Sequence, residues 1–591
     1  MKKNLLLLSA AFACAAGAAS AQGVAGDAGT LTALLREGVT AKATFNERDY
    51  AEKNICVAGS EEKGYLAYFC ADDGVHGEEL WATDGTPEGT YMVKDIYEGI
   101  STSNILWLTR FNDKVIFSAT GDSQDGQEIW ISDGTADGTY MVANVNEWGD
   151  SEPRGLCQLN ENQFVFFAKD DNAATVGTNG QWWLYVSDGT AEGTTLVKEV
   201  NSMFPGREPI DNRTGDVVRV GRKVFFIADV ANVNDDEVTY GDEVWVTDGT
   251  PEGTKMIKDI NTEKDPAGLE GSTRGAAIAH FLNFYNKKLF FKAWSWASGN
   301  EPWAYDLETE EAYEIFNTND TFNPDNTDDA GVPMGSGGGV TKTGYPAFGH
   351  VFFRSSTPST GSELGMTNCE KGNYKIFDIS TNINVNNGNT WPDDGVEFDG
   401  KYVFCCNRGI NPDIDDPENP QLGGELNICD GEKVWLQYDF APGTGATWTR
   451  ELTVCNGTLY YWNSSNARDG HAGRLVRVDG LDATPVEVTN IDPTNDGVHM
   501  LRNLDGKLIF ISDADHNIYC YEYDNPDKKP SNRDTMLLDF GDDAGIDEVV
   551  SDFSNDGPVE YFNLQGMRVN ANTPGLYIRR EGNKASKVIL K

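Results

Sequence analysis

Positive charge is scarce in this chain: 47 Lys and Arg stand against 93 Asp and Glu, a formal charge of −46 over 591 residues. The first 21 residues hold two of the lysines and no acid, so the remainder sets 45 cations against 93 acids, or −48. A surface of that sign repels phosphate backbones and anionic lipid, which argues against nucleic acid and leaves cations, basic partners and neutral glycans. Apolar content is low at 39%, and after residue 21 no run approaches the 18 or more apolar residues of a membrane helix, so no span is expected. Catalytic signatures are missing too. Six histidines (His76, His280, His350, His471, His499 and His516) are scattered, with no HExxH pattern. No Gly-x-Ser-x-Gly elbow and no phosphate loop opening a helix is found, and no catalytic residue is assigned. Nine cysteines follow residue 21, an odd number without zinc or CxxC spacing. Cys56 and Cys70 fall on neighbouring expected strands, as do Cys429 and either Cys405 or Cys406. The alternative to such bridges is small buried thiols.

Glycine is plentiful (63 residues) and aromatics reach 11%, the balance of many short strands and tight turns. The dominant feature is repetition. Residues 79–96 begin Glu79-Leu80-Trp81-Ala82-Thr83-Asp84-Gly85-Thr86, and the pattern returns at 128–145, 184–200 and 243–260. Aligned on the turn aspartate, copies fall at Asp84, Asp133, Asp188, Asp248 and Asp306, then more weakly at Asn368, Asp430, Asp479 and Asp524. The unit of about 50 residues holds four short apolar runs, the size and content of a propeller blade. In Asp84-Gly85-Thr86 the aspartate can accept a backbone N–H two residues on, and glycine takes the positive φ a tight turn needs. Asp133-Gly134, Asp188-Gly189 and Asp248-Gly249 repeat that chemistry. Trp81, Trp130, Tyr185, Trp245 and Trp303 are expected to pack between blades.

The units resemble the ELWxxDGT repeat family over roughly residues 55–540, a resemblance that implies an exported bacterial protein with propeller-like repeats and carries no catalytic residues. Later units depart from it: Gly365 and Asn427 stand in place of Trp, and Asn368 in place of the turn Asp. The expected fold is all-β, a β-propeller of eight or nine four-stranded blades over residues 54–545, with a short C-terminal β segment. Two smaller arcs divided in the insert 317–344 are the alternative; that insert and 407–424 read as surface loops. Residues 22–53 form a leader, with a helical turn expected at 31–36. Residues 1–21 have the basic start, apolar middle and small-residue end of a secretory signal. Residues 546–591, with Tyr561-Phe562, Leu576-Tyr577-Ile578 and Val588-Ile589-Leu590-Lys591, resemble a Bacteroidetes sorting domain for type IX secretion. That likeness implies an exported protein at the outer-membrane surface or outside the cell.

The loop between the second and third strands is the candidate for chemistry. It carries Asp73 and Glu79 in the first unit, Asp122, Asp125 and Glu128 in the second, and Asp236 and Asp242 in the fourth. Carboxylates in glycine-containing loops, gathered on one face of a ring, suit calcium. No cofactor is required. The functional expectation is a monomeric, non-catalytic binding or scaffold module for a glycan or extracellular protein. Its alternative is a carbohydrate-active hydrolase or lyase with carboxylates at the propeller centre.

Overall fold

The computed structural model describes residues 29–42, 54–122, 125–147, 149–170, 182–202, 217–229, 243–260, 281–284, 288–295, 298–318, 339–357, 360–379, 390–407, 424–438, 447–465, 474–488, 497–526, 559–562, 575–581 and 584–590. The signal-like residues 1–21 and most of both long inserts lie outside them.

All regular structure among these residues is strand. The second strand of a blade is typified by Phe164–Ala168, five consecutive side chains at 0% exposure. An unbroken apolar run, in place of alternation, means that both faces of the sheet are covered. The covering is by neighbouring blades. In blade one, Phe69 and Trp81 pack with Met500, Ile509 and Ile518 of blade nine. The intervening Tyr68 and Leu80 pack with Val115, Phe117 and Trp130 of blade two. The period of two along a strand thus feeds two different cores. Nine such clusters fill the nine junctions between successive blades.

Nine antiparallel sheets carry these cores, and their first strands lie side by side in sequence order around an axis. The ring closes where the first strand of blade nine, Val498–Leu504, meets the first strand of blade one, Cys56–Ser60. The wheel therefore has nine blades and one closed ring, and the two-arc alternative falls.

Two expectations for the N-terminal segment are corrected. Residues 31–36 form no helical turn: Thr30–Ala33 is a strand that pairs antiparallel with Asn517–Glu522 and completes blade nine. Thr40–Lys42 then pairs with the second strand of blade one. The supposed leader so supplies strands to two blades, because an outer strand from the far end of the chain removes the seam a linear array would leave open. Blade nine needs no hairpin into a fourth strand, so it has no turn signature. In register, Glu522 stands where Asp84 does, and Asp524 lies two residues beyond.

The first strands share a further device. In blades two, three, eight and nine the pairing slips by one residue between Leu106 and Thr109, Arg154 and Cys157, Arg450 and Thr453, and His499 and Arg502. The extra residue adopts positive φ: Trp107 at 62°, Gly155 at 59°, Glu451 at 59° and Met500 at 59°. This is a β-bulge repeated around the axis. At the same point in blades one and four the strand divides in two, Thr40–Lys42 with Cys56–Ser60, and Asn201–Ser202 with Val217–Val220. Beyond the ring, Val559–Phe562, Gly575–Glu581 and Lys584–Leu590 form a three-stranded antiparallel sheet, the C-terminal β segment.

Candidate functional site

The repeat signature is absorbed by architecture. In the turn after Thr83, Asp84 Oδ1 accepts from the Thr86 N–H (2.9 Å) and hydroxyl (2.6 Å), and Thr86 Oγ1 accepts from the Gly89 N–H (3.0 Å). The Thr90 hydroxyl donates to the Thr86 carbonyl at 2.7 Å. Gly85 sits at φ 88°, and a Cβ on Gly89 would lie 2.1 Å from the Asp84 carboxylate. Both glycines are thereby required. The same bonds recur around Asp133, Asp188 and Asp248, with Gly134, Gly189 and Gly249 at 88–89°. The second, third and fourth turns are also latched from the preceding blade: the Tyr91 hydroxyl donates to Gly134 O at 3.0 Å and Lys94 Nζ to Thr139 O at 2.6 Å, the Tyr140 hydroxyl to Gly189 O at 3.2 Å, and Lys198 Nζ to Thr254 O at 2.8 Å.

Trp81, Trp130, Trp245 and Trp303, with Tyr185, each lie in the core shared with the preceding blade. Where blade six has Gly365, a Cβ would meet the Phe353 ring at 2.4 Å, so that ring occupies the missing indole's place.

Glu79 and Glu128 are fully buried. Glu79 accepts from the Ile96 N–H (2.8 Å) and the Tyr97 N–H (3.4 Å), and Glu128 from the Val145 N–H (2.8 Å) and the Ser151 hydroxyl (2.6 Å) on one oxygen and the Ser151 N–H (3.2 Å) on the other. Glu301 takes Thr318, and Glu363 takes Ile379 and Thr390, in the same manner. Each carboxylate pins the chain as it leaves one blade for the next, and these donors fill the oxygens of Glu79 and Glu128. Burial pushes both groups up to about 7, against the backbone bonds that pull them down.

The remaining loop acids sit apart. Asp73 accepts from the Val75 and His76 N–H groups (2.9 Å each) and the His76 ring (2.9 Å), with Arg36 at 3.9 Å. Burial works to raise its pKa, but the His76 bonds outweigh that and hold it at about 2. Asp122 caps its own turn through the Asp125 N–H (2.8 Å), and Asp125 takes the Asn144 amide (3.2 Å). Asp236 and Asp242 lie outside the described residues. Among the described residues no three His, Cys, Asp or Glu side chains group as a metal site. In register Cys56 faces Tyr68 and Cys429 faces Tyr402, so neither suggested cysteine pair is aligned.

What differs from blade to blade is the rim where the first strands begin. In blade seven Trp391 is exposed there, with φ 44°. In blade nine His499 Nε2 and Asp513 Oδ2 are 2.7 Å apart. In blade three Glu152 takes Arg154 (3.0 Å) and Lys169 (2.5 Å), and both cations lie over the Trp182 ring, 4.6 and 4.3 Å from its centroid. Sequence reading missed this rim, because a half-exposed residue on an innermost strand has no motif. The only signal was Lys, Arg or His at the start of several first strands.

No family model and no curated protein matches the chain. Among solved structures, the chain is similar to a prolyl endopeptidase at 10% identity and TM-score 0.35, over 71% of this chain and 54% of that one. A Mycobacterium tuberculosis puromycin-hydrolysing peptidase gives 11% and 0.31, over 65% and 53%, and a puromycin hydrolase 12% and 0.29, over 73% and 61%. The chain thus spans between half and two thirds of these neighbours' length. Likeness at such scores carries no argument about activity. The nine-bladed ring rests on its own strand pairing.

Proposed function

We propose that this protein is an exported, non-catalytic binding module, held at the cell surface or released, whose ring face engages a glycan or a protein. The observation that supports this reading is a division of labour. Signature residues are consumed by turns, latches and inter-blade cores, while the rim varies from blade to blade over a common scaffold. Variable loops on a rigid frame are where recognition is built. Export rests on the signal-like start and the sorting-like end of the sequence.

The test is a glycan array and a surface-protein pull-down with the full chain. Saturable retention of one ligand class, without its breakdown, is the expected result. Turnover of a glycan would overturn the reading in favour of the hydrolase or lyase, and would direct attention to Asp393 and Glu451 on the first strands of blades seven and eight.

A further inference from the structure

We propose that Trp391 is a stacking platform for a sugar ring, and that the rim of blades seven and eight takes a neutral, β-linked glycan with equatorial hydroxyls. This rests on the binding-module reading and names its site and ligand class.

The inference begins with a clamp repeated along the rim. In blade three the Ser151 and Glu152 N–H groups both donate to Gln127 O, at 3.1 and 3.2 Å. In blade seven the Thr390 and Trp391 N–H groups both donate to Ser362 O, at 2.8 and 3.3 Å. The Ser151 and Thr390 hydroxyls add a third bond to the same carbonyl, each at 3.2 Å. In blade two Ser103 holds Glu78 O likewise, through its N–H (3.1 Å) and its hydroxyl (2.8 Å). The residue after the hydroxyl turns to positive φ: Asn104 at 48°, Glu152 at 44° and Trp391 at 44°. Gly497 stands at the same level in blade nine, two residues before His499, with φ 101°. Bonds from the backbone and the preceding hydroxyl set this conformation, so its side chain is left to vary over a fixed frame.

Tryptophan is the least suited of these four residues. Left-handed φ is ordinary for Gly and tolerated by Asn, but it is an outlier for a bulky side chain. Packing does not explain the choice either. Eight tryptophans are 8% exposed or less, whereas Trp391 is 37% exposed, the one exposed tryptophan among the described side chains. It belongs to none of the nine inter-blade cores. A strained indole at the surface, absent from every core, is the mark of a binding residue.

Its surroundings define the ligand. Arg354 Nε donates to Pro392 O at 2.9 Å, and its Nη2 lies 3.4 Å from the Asp393 carboxylate, whose side chain is 39% exposed. An aromatic face beside a carboxylate and a guanidinium matches a pyranose. Axial C–H groups lie on the sugar's face, while equatorial hydroxyls at its edge donate to the acid and accept from the cation. Blade eight has Trp448 at the equivalent position, two residues before Arg450 as Trp391 is two before Asp393, on the first strand next around the axis. Tryptophans at one level on adjacent strands call for consecutive sugars. A protein partner would need roughly 800 Å² on this side. Among the described residues the other exposed large hydrophobics lie on loops of blade one, as Val75 and Ile100 do, or on or beside fourth strands, as Tyr91 and Tyr438 do. Trp391 is therefore a lone platform, the size of one sugar.

The experiment is titration calorimetry on the full chain with cellohexaose, xylohexaose and chitohexaose as probes. At least one should bind saturably, at least tenfold more tightly than its monosaccharide. Trp391→Asn, which places in the clamp the residue type blade two has there, should weaken that binding at least tenfold and leave the protein folded. Trp391→Phe, which keeps a ring, should lose less. Ile100→Ser, on a loop of blade one, should leave binding unchanged. Indifference to Trp391→Asn, or an equal loss in Trp391→Phe, would overturn the inference and leave glycan binding standing. Failure of all three probes would overturn the ligand class, and the binding-module reading would then stand only on a surface protein retained in the pull-down. Cleavage of a bound probe, with Trp391→Asn still weakening its binding, would keep the platform and overturn the non-catalytic reading.

Discussion

The glutamate that opens the signature is the residue with the largest consequence for solution behaviour. Glu79 and Glu128 bind a proton more tightly in the fold, at about 7, than at the ordinary 4.5. Folding therefore favours the protonated acid: the stabilisation is complete below about pH 4.5 and is lost as pH rises through 7, on the order of 3 kcal/mol per group. Melting temperature should fall between pH 5 and pH 8, and the Glu79→Gln/Glu128→Gln double variant should flatten that slope. An unchanged slope would show that other groups titrate. The indole at Trp81 invites a second test. Its Nε1 is buried with no partner among the described residues, as are those of Trp130 and Trp303. Ring area therefore matters there more than the donor. Trp81→Phe should cost about 1 kcal/mol and Trp81→Ala about 3–5, as measured by denaturant melts. The turn aspartates and glycines were legible from their spacing, since a turn's chemistry is local. The glutamates were not. Read as loop acids open to calcium, they differ from solvated neighbours only in depth, which depends on a connection some 17 residues further along.

Strands and hairpins were mostly readable because middle strands buried on two faces are unbroken apolar runs, and the Asp-Gly-Thr turns mark where one ends. Thr30–Ala33 escaped notice for a physical reason. Four residues at an outer edge, partly buried only at Leu31 and Thr32, have no period to detect, and their partner lies about 490 residues away. The register itself supplies a test. Thr32 faces Cys520, a buried free thiol. Thr32→Cys should form a disulfide under mild oxidation, shift mobility on a non-reducing gel and raise the melting temperature by several degrees, reversibly with reductant. If no crosslink forms while the protein stays folded, the N-terminal strand does not lie where it is described.

At the scale of the whole molecule, the period of about 50 residues disclosed a wheel but left eight or nine blades open. The reason is that the ninth unit is assembled from both ends and never completes its own signature. The closing strand also sets an order of events. At 5–20 residues per second, synthesis takes roughly 25–100 s to travel from Thr32 to Cys520. Through all of that time the first-made strand has no mate. A nascent chain can assemble blades two to eight as they emerge, but the last seam is sealed only once Asn517–Glu522 has been made, so ring closure follows the other blades in time.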